Sequence, residues 1–163
     1  MVINEVAWMG STSDSLNEYI ELYNNTGAAI SLTGWRIVDD NGAQIYSLTG
    51  SIAARGYYLI ERASNATNVA GDVVASGMSL ANTGDSLELQ DATGARVDIV
   101  NSLGGAWFAG TATGYYTMER INPATSGDVD SNWANNNGVV RNGTDSGKKR
   151  INGTPRAKNS ATP

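Results

Sequence analysis

Residues 17–39 constrain the fold of this chain more than any other stretch. They contain a segment, Tyr19–Tyr23, that alternates between apolar and polar or aromatic side chains, followed by the turn-forming run Asn25-Thr26-Gly27. Ile20 and Leu22 fall on one face of the segment, and Tyr19, Glu21 and Tyr23 fall on the other. This period of two is typical of a half-buried β-strand. The stretch therefore predicts a half-buried β-strand of a sandwich, and it contains no catalytic motif.

The rest of the chain has the same character. It contains nineteen glycines, and no segment shows sustained apolar spacing at the helical period. Turn signals such as Asp39-Asp40-Asn41-Gly42, Asn82-Thr83-Gly84 and Ala92-Thr93-Gly94 recur at intervals suited to a β-sandwich. We therefore predict an all-β protein with an immunoglobulin-like sandwich fold. The predicted strands lie at about residues 2–8, 18–23, 35–38, 44–48, 57–62, 86–90, 96–100 and 115–120.

The length of 163 residues fits a single domain with one core. Residues 1–120 hold the strand patterns, whereas residues 121–163 are rich in Asn-Gly pairs and poor in apolar side chains. We expect a sandwich over 1–120 and an irregular C-terminal wrap over 121–163, packed on the same domain, with Trp133 folded back onto the sandwich. No apolar run approaches the length of about 18 residues that a membrane span needs, so no span is predicted.

Several motifs resemble those of lamin tail domains. They are Glu-Tyr-Ile-Glu-Leu-Tyr-Asn at residues 18–24, Leu-Thr-Gly-Trp-Arg-Ile at 32–37, and Ser-Leu-Ala-Asn-Thr-Gly-Asp at 79–85. The entry strand at residues 3–8 and the closing segment at residues 153–159 are similar to the bacterial branch of that family. The resemblance implies a non-catalytic interaction or anchoring module of a bacterial secreted or cell-surface protein. It also implies an extracellular location and a protein or cell-envelope polymer as partner.

The composition argues against an enzyme. The chain has no histidine and no cysteine, which removes the usual proton relays and nucleophile pairs. The remaining catalytic option is a hydrolase with two carboxylates, drawn from glutamates inside predicted strands. We expect these side chains instead to face solvent or to pair with arginines across strands. The candidates are Glu5, Glu21, Glu61, Glu88 and Glu119.

One segment has the spacing of a metal-binding loop. Asp128, Asp130 and Asn132 alternate, as in the first half of a calcium loop, but Trp133 and Val139 stand where an EF-hand needs glycine and a bidentate glutamate. We expect an Asx-rich turn and no cofactor. A structural calcium ion held by these three side chains and by distant carbonyls is the alternative.

Charge is divided unevenly along the chain. Residues 141–163 hold six basic side chains against one acid, a net of +5, so the remaining residues carry −10 of the total of −5. We expect this tail to lie across the acidic body. The alternative is a nucleic-acid-binding module that uses Lys148, Lys149 and Arg150, although an isoelectric point of about 4.6 opposes it.

A pair of large aromatic residues stands in a glycine-rich loop. Trp107 and Phe108 lie between Gly104-Gly105 and Gly110 and follow no strand pattern. If exposed, the pair would form a partner-binding patch, and if buried it would plug one end of the sandwich. Trp107 and Phe108, together with the basic run, are the predicted partner-binding residues.

Overall fold

The computed structural model describes residues 1–39 and 44–163, and most of the turn predicted at residues 39–42 lies outside them. The described chain is built from short strands and one 3₁₀ turn. Among these residues, no helix is long and apolar enough to cross a membrane. The strands are β1 (Val2–Ala7), β2 (Tyr19–Tyr23), β3 (Ile30–Ser31), β4 (Arg36–Val38), β5 (Gln44–Ser47), β6 (Ser51–Ile52), β7 (Tyr57–Glu61), β8 (Val73–Val74), β9 (Leu87–Gln90), β10 (Arg96–Val100), β11 (Met118–Arg120) and β12 (Trp133–Asn135), with the 3₁₀ turn at Asp130–Asn132.

The strands form two packed sheets and a small ribbon. The large sheet has the order β12-β11-β1-β2-β7-β8, the small sheet has the order β10-β9-β4-β5, and β3 pairs with β6. Neighbouring strands are antiparallel except β7 and β8. This architecture confirms the predicted immunoglobulin-like β-sandwich.

All eight predicted strands are present, with shorter bounds at several ends. The other four are only two or three residues long, which is too short for alternation to show in a sequence. One of them, β12, lies in the region predicted to be irregular, and it pairs with β11 at the edge of the large sheet.

The main core lies between the two sheets. The large sheet turns Ile20, Leu22 and Ile60 inward, and the small sheet contributes apolar residues such as Leu87 and Leu89, all fully buried. Burial of each such side chain stabilises the fold by about 2 kcal/mol relative to leaving it exposed. Trp35 is only partly buried and packs against this core.

A buried ion pair joins the sheets at one edge of this core. The Arg120 guanidinium on β11 donates to both carboxylate oxygens of Asp98 on β10, at 2.5 and 3.1 Å. It also donates to the carbonyl of Ile3, whose own N–H donates to Asp98. Trp133 lies under the guanidinium, 5.5 Å from ring centroid to Cζ, and is buried as expected.

The outer face of the large sheet is covered by the C-terminal segment, residues 141–163. The N–H of Thr117 donates to the carbonyl of Asn152, and Ile151 packs against Tyr19 and Leu59 on the sheet. The prediction of a half-buried strand at Tyr19–Tyr23 is therefore wrong for its outer face, because four of its five residues are buried. The tail replaces solvent there.

Candidate interaction site

Three glutamates lie side by side beneath the C-terminal segment. Glu5, Glu21 and Glu119 stand on adjacent strands, with Glu5 directly opposite each of the other two, and all three are 0% exposed. The expectation that they face solvent or pair with arginine side chains is wrong, because the tail removes water and brings neutral donors instead. Among the other predicted carboxylates, Glu61 is also buried, whereas Glu88 pairs with Arg96 as expected.

Glu5 stands at the centre of this cluster. Its Oε1 accepts hydrogen bonds from the Tyr19 hydroxyl and the Thr117 hydroxyl, both at 2.7 Å, and from the Thr154 N–H at 2.9 Å. Its Oε2 lies 3.1 Å from the Thr154 hydroxyl. The tail residue Thr154 thus contacts both oxygens of a carboxyl group that belongs to the first strand.

The Thr154 hydroxyl lies between two carboxyl groups and can donate to only one of them. Its Oγ1 lies 2.8 Å from Glu119 Oε1 and 3.1 Å from Glu5 Oε2, yet it has one proton to donate. The other contact therefore needs a protonated carboxyl group that donates to Thr154. Burial, together with the negative charge of Glu119, raises the pKa of Glu5 to about 7, which agrees with this arrangement.

The other two carboxylates are also held by the tail. Glu119 accepts from the side chains of Asn136 and Ser160, both at 2.6 Å. Glu21 accepts from Asn4 at 3.0 Å and from the backbone N–H of Arg156. Burial and the nearby Glu5 raise the pKa of Glu21 well above its ordinary value.

The tail approaches so closely that it needs glycine at one point. A Cβ at Gly153 would lie 2.3 Å from the Tyr19 hydroxyl and 2.6 Å from Glu5 Oε1. The carboxylates are thus sealed from solvent and form a structural cluster instead of a substrate cleft. Among the described residues, no group of three or more His, Cys, Asp or Glu is arranged to hold a metal ion.

The predicted aromatic pair is divided between the core and the surface. Trp107 is 9% exposed, stacks on Trp8 with ring centroids 6.4 Å apart, and donates from Nε1 to the carbonyl of Ala81. Phe108 is partly exposed. The indole therefore closes one end of the sandwich, and only Phe108 presents surface that a partner could contact.

Phe108 lines a groove of about 510 Å³ at this end of the sandwich. Leu103, at 98% exposure, projects beside it, and Asp128 and Asp130 supply carboxylates to the same groove. Sequence reasoning missed Leu103. The signal that could have found it is an isolated large apolar residue in a Ser-Leu-Gly-Gly turn, where no strand pattern gives it a core position.

The loops that frame this groove are tied together. Asn101 donates from Nδ2 to the carbonyl of Asp85 at 2.9 Å, and both oxygens of Asp128 accept from Ser102, at 2.7 and 2.5 Å. Leu103 is thus displayed on a braced loop. We call this region, lined by Leu103, Phe108, Asp128 and Asp130, the Leu103 groove.

Two of the three predicted calcium ligands are engaged in hydrogen bonds within the protein. Asp128 is engaged by Ser102, while Asn132 is buried and donates from Nδ2 to the carbonyls of Asn122, Thr125 and Ser126. Asp130 is exposed at the start of the 3₁₀ turn. Asn132 thus serves to shape the preceding loop, and calcium binding stays an untested prediction.

The predicted basic residues stand together on a turn. Lys148, Lys149 and Arg150 are exposed, and Asp145 fixes the turn by accepting from the N–H groups of Gly147 and Lys149, both at 2.9 Å. None of the three basic side chains forms an ion pair with any described residue. Among the described residues, Arg156 is the tail cation that pairs with the acidic body, through Asp72.

Comparison with known proteins identifies the family. The family model described as Lamin Tail Domain matches residues 1–103. A search of curated proteins gives no match. The match includes β1 to β10 and the loop that bears Leu103. The chain belongs to the Lamin Tail Domain family, a family of non-enzymatic domains with an immunoglobulin-like fold.

Proposed function

We propose that this domain is a non-catalytic interaction and anchoring module of a bacterial secreted or cell-surface protein, which holds a protein or a cell-envelope polymer. The observation that carries the proposal is the Leu103 groove. A leucine exposed to 98% on a braced loop, next to a partly exposed phenylalanine, gives an apolar contact that costs little to order on binding. Glu5, Glu21 and Glu119 are sealed from any substrate, which agrees with a binding role and not a catalytic one.

The charge of the groove adds specificity. Asp128 and Asp130 stand on its rim, and no basic side chain lines it among the described residues. A partner with an apolar anchor beside basic groups fits this arrangement, because complementary charge speeds encounter and excludes acidic competitors.

The test is binding of labelled protein to intact bacterial cells and to purified peptidoglycan sacculi. We expect saturable binding that Leu103→Asp weakens about tenfold, since a central apolar anchor contributes at least 1.4 kcal/mol. Val139→Asp is the matched control, because Val139 is 81% exposed and lies in the C-terminal part of the chain. Protease treatment of the cells separates a protein partner from a polymer. Absence of saturable binding, or equal effects of both variants, would contradict the proposal.

A second candidate function is nucleic-acid binding through Lys148, Lys149 and Arg150. The favouring observation is that all three are exposed, on a turn that Asp145 holds in place, and form no ion pair with a described residue. The docked tail and the acidic body oppose it. Fluorescence anisotropy with double-stranded DNA tests it: three phosphate contacts predict a log-log salt slope of about −2.7. Replacing all three by glutamine should abolish that slope, while Lys158→Gln should leave it intact.

A further inference from the structure

Two tyrosines form an aromatic surface at one end of the outer face. Tyr23 on β2 and Tyr57 on β7 are opposite each other in the sheet, with ring centroids 5.1 Å apart and planes tilted by 36°. Both are only partly buried. They line a cavity of about 240 Å³ together with Pro123, Lys158 and Thr162.

The hydroxyls of the two tyrosines are not used by the fold. Neither the Tyr23 nor the Tyr57 hydroxyl forms a hydrogen bond with a described residue, whereas Tyr19, on the same face, donates to Glu5. Burial and the nearby Glu21 raise the pKa of Tyr57 to about 12, so its hydroxyl keeps its proton at any physiological pH. The cavity thus offers apolar ring faces and unengaged donors side by side.

We propose that the cavity at Tyr23, Tyr57, Pro123, Lys158 and Thr162 binds a neutral sugar unit of a polysaccharide. A pyranose ring has an apolar C–H face that can lie on an aromatic ring, and a rim of hydroxyls that can pair with tyrosine, lysine and threonine groups. The cavity is smaller than a drug-sized pocket and suits one small ring.

Other ligand classes fit this cavity less well. A purely apolar ligand would displace water from the two tyrosine hydroxyls without replacing its hydrogen bonds. A cation would meet the Lys158 ammonium, which lines the cavity. A compact anion such as phosphate would leave the ring faces of the two tyrosines without an apolar partner.

The inference goes beyond the proposed function, because it rests on different residues from the Leu103 groove. Either can fail while the other holds. If both hold, the domain has two attachment points, an apolar one at the end of the sandwich and a saccharide one on the outer face of the large sheet.

The first experiment is an NMR titration of the ¹⁵N-labelled full chain with cellohexaose, chitohexaose and maltohexaose up to roughly 10 mM, which detects dissociation constants in the millimolar range. We expect saturable shift changes at Tyr23, Tyr57, Lys158 and Thr162 with at least one oligosaccharide. No shift with any of the three, or shifts centred elsewhere, would overturn the inference.

Variants then test the tyrosines directly. Tyr23→Phe and Tyr57→Phe keep the rings and remove the hydroxyls, so each should weaken binding about threefold to tenfold, the value of one hydrogen bond. Tyr57→Ala should abolish it, and a thermal melt establishes whether that variant is folded. Val139→Asp is the control and should bind the sugar as wild type does, because Val139 is 81% exposed and lines neither cavity. Wild-type affinity in the double phenylalanine variant would overturn the inference even if the alanine variant does not fold.

Discussion

The two faces of the large sheet are both buried, but by opposite means. The inner face buries apolar side chains such as Ile20 and Leu22 against the small sheet. The outer face buries Glu5, Glu21 and Glu119 against a tail without regular strands. One face is closed by non-directional apolar contact and the other by individual hydrogen bonds.

This difference determines how each face responds to change. Apolar burial is roughly proportional to area and insensitive to pH, whereas the outer face depends on the protonation of carboxyls whose negative charges repel. Thr154 contacts Glu5 and Glu119 at once, so the outer face works as one network. We therefore expect apolar substitutions on the inner face to change stability uniformly with pH, and changes to the outer-face carboxyls to depend on pH.

The largest effect should come from the ion pair on the inner side. Arg120→Met leaves Asp98 buried without its cation, and we expect the free energy of unfolding to fall by about 4 kcal/mol. Chemical denaturation at neutral pH measures the loss. The double variant Arg120→Met with Asp98→Asn should recover part of it, because no buried charge then remains. A loss below about 1 kcal/mol in the single variant would mean that water reaches the pair.

The next largest predicted effect is a dependence of the free energy of unfolding on pH. The folded pKa of Glu5 is about 7 against an ordinary value of 4.5, so folding takes up a proton between these pH values. Stability is therefore fully present below about pH 4.5 and falls as the pH rises to about 7, by about 3 kcal/mol in all. Glu21 acts in the same direction.

Glu5→Gln tests that dependence. The amide can accept from Tyr19, Thr117 and the Thr154 N–H while donating to the Thr154 hydroxyl, so it mimics the protonated acid. We expect the variant to be more stable than wild type by about 3 kcal/mol at pH 8 and nearly equal to it at pH 5. Denaturation curves at the two pH values measure this. A variant that is less stable at pH 8 would show that the cluster holds Glu5 ionised.

An intermediate effect should follow from the close approach of the tail. Gly153→Ala pushes a methyl group against the Tyr19 hydroxyl and Glu5, and we expect a loss of about 2 kcal/mol from overpacking. Gly77→Ala is the matched control, because a Cβ there meets nothing within 4 Å. Thermal melts compare the two. Equal melting temperatures for the two variants would show that the tail lifts away at little cost.

The inner face was predictable from the sequence and the outer face was not. Alternation in Tyr19–Tyr23 places Ile20 and Leu22 correctly, because an apolar residue at every second position has one favourable direction. The same alternation gives no sign that Glu21 is buried, since a glutamate facing water and a glutamate facing a tail have the same spacing. The burial of Glu21 is decided by the tail, which lies far away in the sequence. Arg156, whose N–H donates to Glu21, is 135 residues from it.

The sequence also does not determine which aromatic residues are exposed at the two surface sites. The sequence identifies Trp107 and Phe108 as unusual, and packing against Trp8 then buries one of the two. No local pattern states which aromatic residue of a glycine-rich loop turns inward. Tyr23 and Tyr57 likewise look like any outward-facing strand residues until the sheet register places them opposite each other.

The smallest effect should come from the exposed rim of the tail. The Arg156 side chain pairs with Asp72 and donates from Nε to the carbonyl of Ala70 at 2.6 Å, while its backbone N–H donates to Glu21. Arg156→Gln therefore removes the ion pair and the exposed hydrogen bond and spares the buried contact. We expect a loss of about 0.5 kcal/mol, because both side chains of the ion pair are about one-third exposed. Denaturation in low salt and in about 1 M salt, where the Debye length is about 3 Å, measures it. The difference from wild type should shrink in high salt, whereas the effect of Glu5→Gln at pH 8 should persist, because salt does not reach the sealed carboxylates. A salt-independent loss for Arg156→Gln would place this contact with the buried network of the outer face.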